Sequence, residues 1–304
     1  MSKPITNLPA SIHDRLLNTS KNRGRPFTDL LQYYVIERFL YRLSISKYAN
    51  QFVLKGAMAI LQMDTTFPRA TKDIDFLGYV ENSIPFLETV FKEICIITVG
   101  DDGLVFIPES VVGVPIKAND EYPGVRIEFM ANFGKSPVYL QADIGVADKI
   151  YPSARKKKYP SLVGHKGFNI KVYEPETMLA EKIQTLVHKG QINSRMKDTF
   201  DIWWIAANRQ IKGLTLARAI KTTFTNRQTP LPGTLSFLED GYYSQRQATA
   251  WQSLVKRVYT SNIPPDLATV LVQIKPFLIP IMDALYQEVD FDRSWDPGSE
   301  WSWR

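Results

Sequence analysis

The nine residues Val138-Tyr139-Leu140-Gln141-Ala142-Asp143-Ile144-Gly145-Val146 carry an apolar side chain at every second position. A β-strand is the regular structure with that period. Val138, Leu140, Ala142, Ile144 and Val146 leave one face, and Gln141 and Asp143 the other. Asp73-Ile74-Asp75-Phe76 follows the same rule and reads as a strand that begins at its polar end, with both carboxylates on one face. Two carboxylates side by side are unfavourable unless a positive charge sits between them. A divalent metal supplies that charge, and Mg²⁺ is commonly held by one or two carboxylates plus substrate phosphates.

Around these strands the chain reads as a mixed fold followed by helices. Residues 1–27 are basic, and Lys21 to Pro26 form a polar loop with little to bury. Thr28 is expected to cap a helix that runs to about Ser46 on an apolar face of Leu30, Leu31, Tyr34, Val35 and Phe39. Phe52-Val53-Leu54 is a short apolar strand, and Lys55-Gly56 turns it into a helix over Ala57–Met63. Strands at 73–80 and at Val125–Met130 are separated by a helix near Ile84–Ile97, with Ser83 as its cap. The expected class to residue 172 is α+β with an α/β-type mixed sheet.

From Pro175 the pattern is helical, with Pro175 suited to the first helical position and Gly190 to the residue past the end. Met178, Leu179, Ile183, Leu186 and Val187 spread over one half of this helix, and Lys182 falls inside their arc. Its stem either lies along the core edge or aims an ammonium at an anion. The next helix opens at Asn193–Asp201 and continues to Ala207. Asp198 shares its stripe with Ile202 and Ile205 and needs a partner, either the helix dipole, Arg195, or a ligand. Amphipathic helices follow near 214–225, 247–260 and 265–289, and the tail carries Trp295, Trp301 and Trp303. The expected division is a mixed domain over 1–172 and a helical domain over 173–304.

Composition narrows the function classes. The chain has 304 residues, 44% hydrophobic and 22% charged, as a globular protein with a sizeable core does. A net charge of +6 permits an anionic partner without requiring one. Lys149 to Tyr173 contains seven Lys or Arg and no Asp or Glu, so it is a solvated loop or a patch for a phosphate backbone. Cys95 is the single cysteine and lies in an apolar run, which suits a buried thiol and a reducing cytosol. Met1–Thr6 lacks the apolar core of a signal peptide, and no membrane span is expected, so the expected location is cytoplasmic. His13, His165 and His188 do not stand at ligand spacing, which argues against zinc.

The order of the motifs carries the functional reading. Lys55-Gly56-Ala57 is followed by Arg69-x-Thr71-x-Asp73-Ile74-Asp75-Phe76, Ala142-Asp143-Ile144-Gly145, Pro175-Glu176-x-x-Leu179-Ala180-Glu181-Lys182 and Arg195-x-Lys197-Asp198-x-x-Asp201. Over roughly residues 50–205 this order resembles the AbiEii-like nucleotidyltransferase toxins of type IV toxin–antitoxin and abortive-infection systems, which include the mycobacterial MenT toxins. The resemblance implies a polymerase-β-like nucleotidyltransferase domain followed by a helical domain. It implies Mg²⁺ or Mn²⁺ on Asp73 and Asp75, with Asp143 as a third carboxylate. It further implies a nucleotide held around Gly56, Ala57, Arg69, Thr71 and Arg195, with Lys182 on the triphosphate. Asp198 or Asp201 would be the catalytic carboxylate of the last motif, Asp198 being preferred.

One departure stands out, because such folds usually carry Gly-Ser or Gly-Gly where this chain has Gly56-Ala57. Alanine loses a hydroxyl but keeps a backbone N–H that can still cradle phosphate. By the resemblance the expected activity is transfer of a nucleotide from an NTP to an RNA acceptor, the tRNA 3′ end, with a cognate antitoxin as partner. The alternatives are nucleotidylation of a protein or small molecule, or a catalytically silent binding module. Asp75→Ala and Lys182→Ala are both expected to abolish transfer without unfolding the chain.

Overall fold

The computed structural model describes residues 8–100, 102–116, 124–146, 149–190, 195–239, 241–259 and 262–303. Met1–Thr6 and the expected helix start at Asn193-Ser194 lie outside the described residues. The chain divides into two compact units, Met1–Ala147 with Arg155–Val172, and Asp148–Ala154 with Tyr173–Arg304.

In the first unit, helices α1 (Leu8–Arg23) and α2 (Phe27–Ile45) lead to β1 (Phe52–Lys55), α3 (Gly56–Met63), β2 (Asp73–Gly78) and α4 (Ile84–Cys95). Then come β3 (Leu104–Ile116), β4 (Gly124–Phe133), β5 (Ser136–Val146), β6 (Arg155–Tyr159) and β7 (Phe168–Val172). The seven strands lie in the order β3-β4-β5-β2-β1-β7-β6. β2 runs parallel to β5, and β1 parallel to β7, while β1–β2, β3–β4, β4–β5 and β6–β7 are antiparallel. The class is therefore α+β with a mixed sheet.

This sheet has two chemically distinct faces. Register places Leu54 beside Phe76 and Val172, Phe76 beside Ile144, and Ile144 beside Val125. All five are buried. An aromatic cluster completes this core, with Phe39 4.7 Å from Phe129 and 5.3 Å from Phe91 between ring centroids. The opposite face carries Arg126, Gln141, Asp143, Asp73, Asp75 and Lys55 on strands β4, β5, β2 and β1. The alternation read from Val138–Val146 decides which face is which.

Several local expectations are corrected. α1 extends through Arg23 and buries Ile12 and Leu16, so the polar stretch is partly helical. α2 starts at Phe27 behind Pro26, placing Thr28 inside the helix, not at its cap. Ser83 occupies the N-cap of α4 without a capping bond, its hydroxyl instead bonding Glu81 at 2.5 Å. The basic cluster Arg155–Lys158 is neither loop nor coil but the edge strand β6. β3, whose strand period is interrupted by Pro108 and Pro115, is the other edge strand, with a register shift between Ile107 and Val112. An edge is where a strand tolerates proline.

The second unit is helical, with α5 (Pro175–Lys189), α6 (Met196–Asn208), the short β8 (Ile211–Lys212), α7 (Gly213–Asn226), α8 (Gln245–Val255) and α9 (Leu267–Tyr286). It ends in a hairpin of β9 (Arg293–Trp295) and β10 (Trp301–Trp303) that pairs with β8. The tryptophan tail docks. Trp295 Nε1 donates to the Ala206 carbonyl at 2.7 Å, and Trp301 stacks 5.4 Å from Phe277 at 9°. Among the described residues α9 is the one helix long and apolar enough to cross a membrane, and half of that stretch is buried in the protein.

Cys95 is buried, and desolvation pushes its thiol up to about 12. Burial also pushes the Glu37 carboxyl up to about 7, although its Oε2 accepts the Leu162 N–H at 2.8 Å. A raised carboxyl favours the protonated folded state, so this group's contribution falls as pH rises from its unfolded value through 7. The loss amounts to roughly 3 kcal/mol. Thermal melts from pH 5 to pH 8 should show wild type losing more stability than Glu37→Gln; parallel curves would refute this.

Candidate active site

Asp73 and Asp75 are half-buried on the polar face, while Ile74 and Phe76 between and after them are buried in the core. Asp75 lies between Lys55 on β1 and Asp143 on β5, its register partners on either side. Asp143 is gripped by a bidentate fork from Arg126, Nε to Oδ1 at 2.8 Å and Nη2 to Oδ2 at 2.9 Å. That bond, followed by the charges of Asp143 and Asp73, raises the Arg126 guanidinium above its ordinary value. The sequence reading did not single out Arg126. Its signal was available, since Val125, Ile127 and Phe129 point inward and leave Arg126 on the Asp143 face.

Gly56 explains how the β1–α3 turn comes so close to the pair. Its φ is +66°, and a Cβ there would overlap the Asp75 carboxylate, 2.9 Å from Cγ. Only glycine satisfies both conditions. The N-terminus of α3 therefore lies against Asp75, with Ala57 buried behind it.

Arg69 and Thr71 prove to be built into the approach to β2. The Tyr33 hydroxyl donates to the Arg69 carbonyl at 3.1 Å and accepts from the Thr71 N–H at 3.2 Å and from Arg25 Nη2 at 3.0 Å. Thr71 Oγ1 accepts the Asp73 N–H at 3.4 Å. Arg69 is buried, with its guanidinium 5.6 Å from the Phe67 ring.

The second unit holds the other predicted residues together. Lys182 on α5 reaches two acids one turn apart on α6, with Nζ 3.0 Å from Asp198 Oδ1 and 2.7 Å from Asp201 Oδ2. Asp198 Oδ2 also meets Arg195 Nε at 2.8 Å. The Lys182 side chain is 13% exposed, Asp198 6% and Asp201 0%, whereas Arg195 is 57% exposed. Beside them, the Tyr173 hydroxyl donates to Glu181 at 2.9 Å, and Arg227 bonds both Glu181 and Gln184. Neither Tyr173 nor Arg227 stood out in the sequence.

Residues 38–273 match the model of the family described as "Nucleotidyl transferase AbiEii toxin, Type IV TA system". The chain belongs to this family. It is thus a nucleotidyltransferase toxin of a type IV toxin–antitoxin system. Two solved structures from Helicobacter pylori are similar to this AbiEii toxin. A putative nucleotidyltransferase is 15% identical, covers 86% of this chain and 98% of its own, and has a TM-score of 0.49. JHP933 is 16% identical, with 86% and 94% covered and a TM-score of 0.47. No curated protein matches the chain.

An AbiEii toxin implies an NTP substrate and a divalent metal. Among the described residues, no three His, Cys, Asp or Glu side chains are arranged to cage a cation by themselves. The donor set nevertheless fits Mg²⁺, which keeps water and substrate phosphates among its ligands and needs only one or two carboxylates. The glycine turn pressed on Asp75 leaves open the cradle that any other residue would fill.

Two expectations follow. Gly56→Ala should cost about 1–3 kcal/mol through backbone strain, plus the collision with Asp75. On an Asp75→Ala background the overlap with the carboxylate is removed and only a tight contact with Cβ remains, so urea midpoints of the four-member cycle should be non-additive; strict additivity would refute the contact. Lys182→Ala takes the ammonium away from two buried carboxylates, of which Asp198 keeps its Arg195 ion pair, and should destabilise the toxin by about 3–5 kcal/mol. This revises the expectation of an intact fold for that variant. Adding Asp201→Asn should recover part of the loss, and a Lys182→Ala midpoint equal to wild type would refute the argument.

Proposed function

We propose that this toxin transfers a nucleotide from an NTP to the 3′ end of a tRNA and thereby blocks translation and growth. The observation that carries the reading is the Asp73–Asp75 pair, set on the polar sheet face between Lys55 and the Arg126–Asp143 fork. In this reading Asp73 and Asp75 bind the metal, and Asp143, its charge shared with Arg126, completes the carboxylate set. The bound metal would neutralise charge on the triphosphate and lower the cost of the developing transition state.

The chemistry required of the chain is modest. The acceptor hydroxyl gives up its proton to solvent as its oxygen bonds to the α-phosphorus, the bond from that phosphorus to the α–β bridging oxygen breaks, and pyrophosphate leaves with the bridging oxygen. Catalysis of such steps is mostly positioning and electrostatics. Gly56 and the Ala57 backbone amide give the phosphates a helix N-terminus. Arg69 and Thr71, clamped by Tyr33, hold the segment that aims Asp73.

Lys182 and Arg195 supply the cations for the triphosphate, and Asp198 tethers both. Asp198 is assigned the catalytic role over Asp201 because it is tied to both Lys182 and the exposed Arg195, whereas Asp201 is sealed from solvent. Protein or small-molecule nucleotidylation is the other reading. It shares this chemistry and differs only in acceptor.

Purified toxin with Mg²⁺ and each labelled NTP in turn should label tRNA, and trimming the 3′ nucleotides should remove the label. Asp75→Ala should reduce labelling by about a hundredfold or more, since the metal contributes several kcal/mol. Its melting temperature should stay near wild type, and expression should no longer inhibit growth. Label on protein but not RNA would overturn the tRNA acceptor; no label on either would overturn the enzyme reading.

A further inference from the structure

The polar sheet face does not end at Lys55. Beyond β1, in sheet order, come β7 and then β6. Leu54 on the core face is the register partner of Val172, and Val172 of Arg155. Lys171, Lys156 and Lys158 therefore leave the opposite face, the one that carries Asp73 and Asp75. Lys156 sits directly across from Lys171, and Lys158 from Asn169. Lys156, Lys158 and Asn169 are exposed and Lys171 is half-buried, its Nζ donating to the Asn50 carbonyl at 3.0 Å.

Two features separate this row from ordinary surface lysines. Lysine on an edge strand blunts edge-to-edge pairing, which accounts for Lys156 and Lys158. It does not account for Lys171, because β7 is an interior strand flanked by β1 and β6. Like charges directly opposite on an antiparallel pair are also destabilising, yet Lys156 and Lys171 are so placed. A local rule broken without structural gain is expected at functional positions. The segment that carries the row supplies no acid of its own, since Lys149 to Tyr173 contains seven cations and no Asp or Glu.

We infer that Lys156, Lys158 and Lys171 form a track for the phosphodiester backbone of the RNA acceptor. The inference rests on the RNA-acceptor reading above and adds where that RNA lies. From β2 to β6 is three strand spacings, or roughly 15 Å at about 4.8 Å each. A strand whose terminal hydroxyl reaches the Asp73–Asp75 pair thus runs its preceding phosphates across β7 and β6. Lysine contacts to phosphate carry affinity without sequence preference.

The test is RNA affinity measured across a salt series without NTP, for wild type and the triple variant K156Q/K158Q/K171Q. Losing three phosphate contacts to a single strand should weaken binding roughly tenfold and flatten the log–log salt slope by about 2. K156R/K158R/K171R should bind as wild type, and NTP affinity should be unchanged in both variants. If wild type binds RNA and the glutamine variant matches its affinity and slope, the track is overturned while the acceptor reading stands. If wild type binds no RNA, the acceptor reading falls and takes the track with it. If polyglutamate displaces RNA at matched charge concentration, the surface is one for acidic polypeptides and the inference fails.

Discussion

The contact between Gly56 and the Asp75 carboxylate fixes more of this protein than any other. It requires a residue with no side chain at a positive φ, so the turn from β1 into α3 has one solution. With that turn set, Lys55 falls beside Asp75 and the helix N-terminus falls against the same carboxylate. The sheet's division into an apolar face and a charged one follows from strand alternation. The glycine decides that the charged face has something to work with.

A different constraint governs the second unit. Lys182 and its two acids are almost sealed from water, where an isolated charge would be far too costly. The group is tolerable because Lys182 and Arg195 balance Asp198 and Asp201, two positive charges against two negative ones. Such a cluster resists rearrangement, since removing one member leaves another uncompensated. It contributes rigidity between α5 and α6 and keeps the ammonium at a fixed place.

Much of the fold was legible because its central elements obey simple periods. Val138–Val146 alternates, and β5 occupies a buried position beside β2 with Asp143 on the expected face. Pro175 and Gly190 bound α5 as their backbone preferences dictate. The edges were not legible. β6 has no apolar alternation because only Tyr159 is buried, and β3 carries two prolines that a central strand would exclude.

The candidate site divides the same way. Asp73, Asp75 and Lys182 announce themselves as charges out of place, in a strand start and on an apolar helix face. Arg126 and Tyr33 do not, since their importance lies in partners far off in sequence, Asp143 and the Arg69–Thr71 segment. Ala57, which differs from the residue usual in such folds, turns out to be buried, a place where a hydroxyl would need a partner.

The position of β1 has a consequence for how the chain assembles. β1 pairs with β2 nearby in sequence, but its second neighbour is β7, which arrives only after the chain has completed β3, β4 and β5 and contributed Asp148–Ala154 to the other unit. Until β7 docks, the strand bearing Lys55 is an open edge. Closing it requires a parallel pairing across a longer loop, Leu54 to Val172, than the parallel pairing of Asp73 with Gln141 closes, so more loop entropy is lost before the contacts repay it. The basic hairpin is therefore a late clasp. On this loop-entropy argument the acidic pair is expected to take up its register against β5 before its lysine-bearing flank closes.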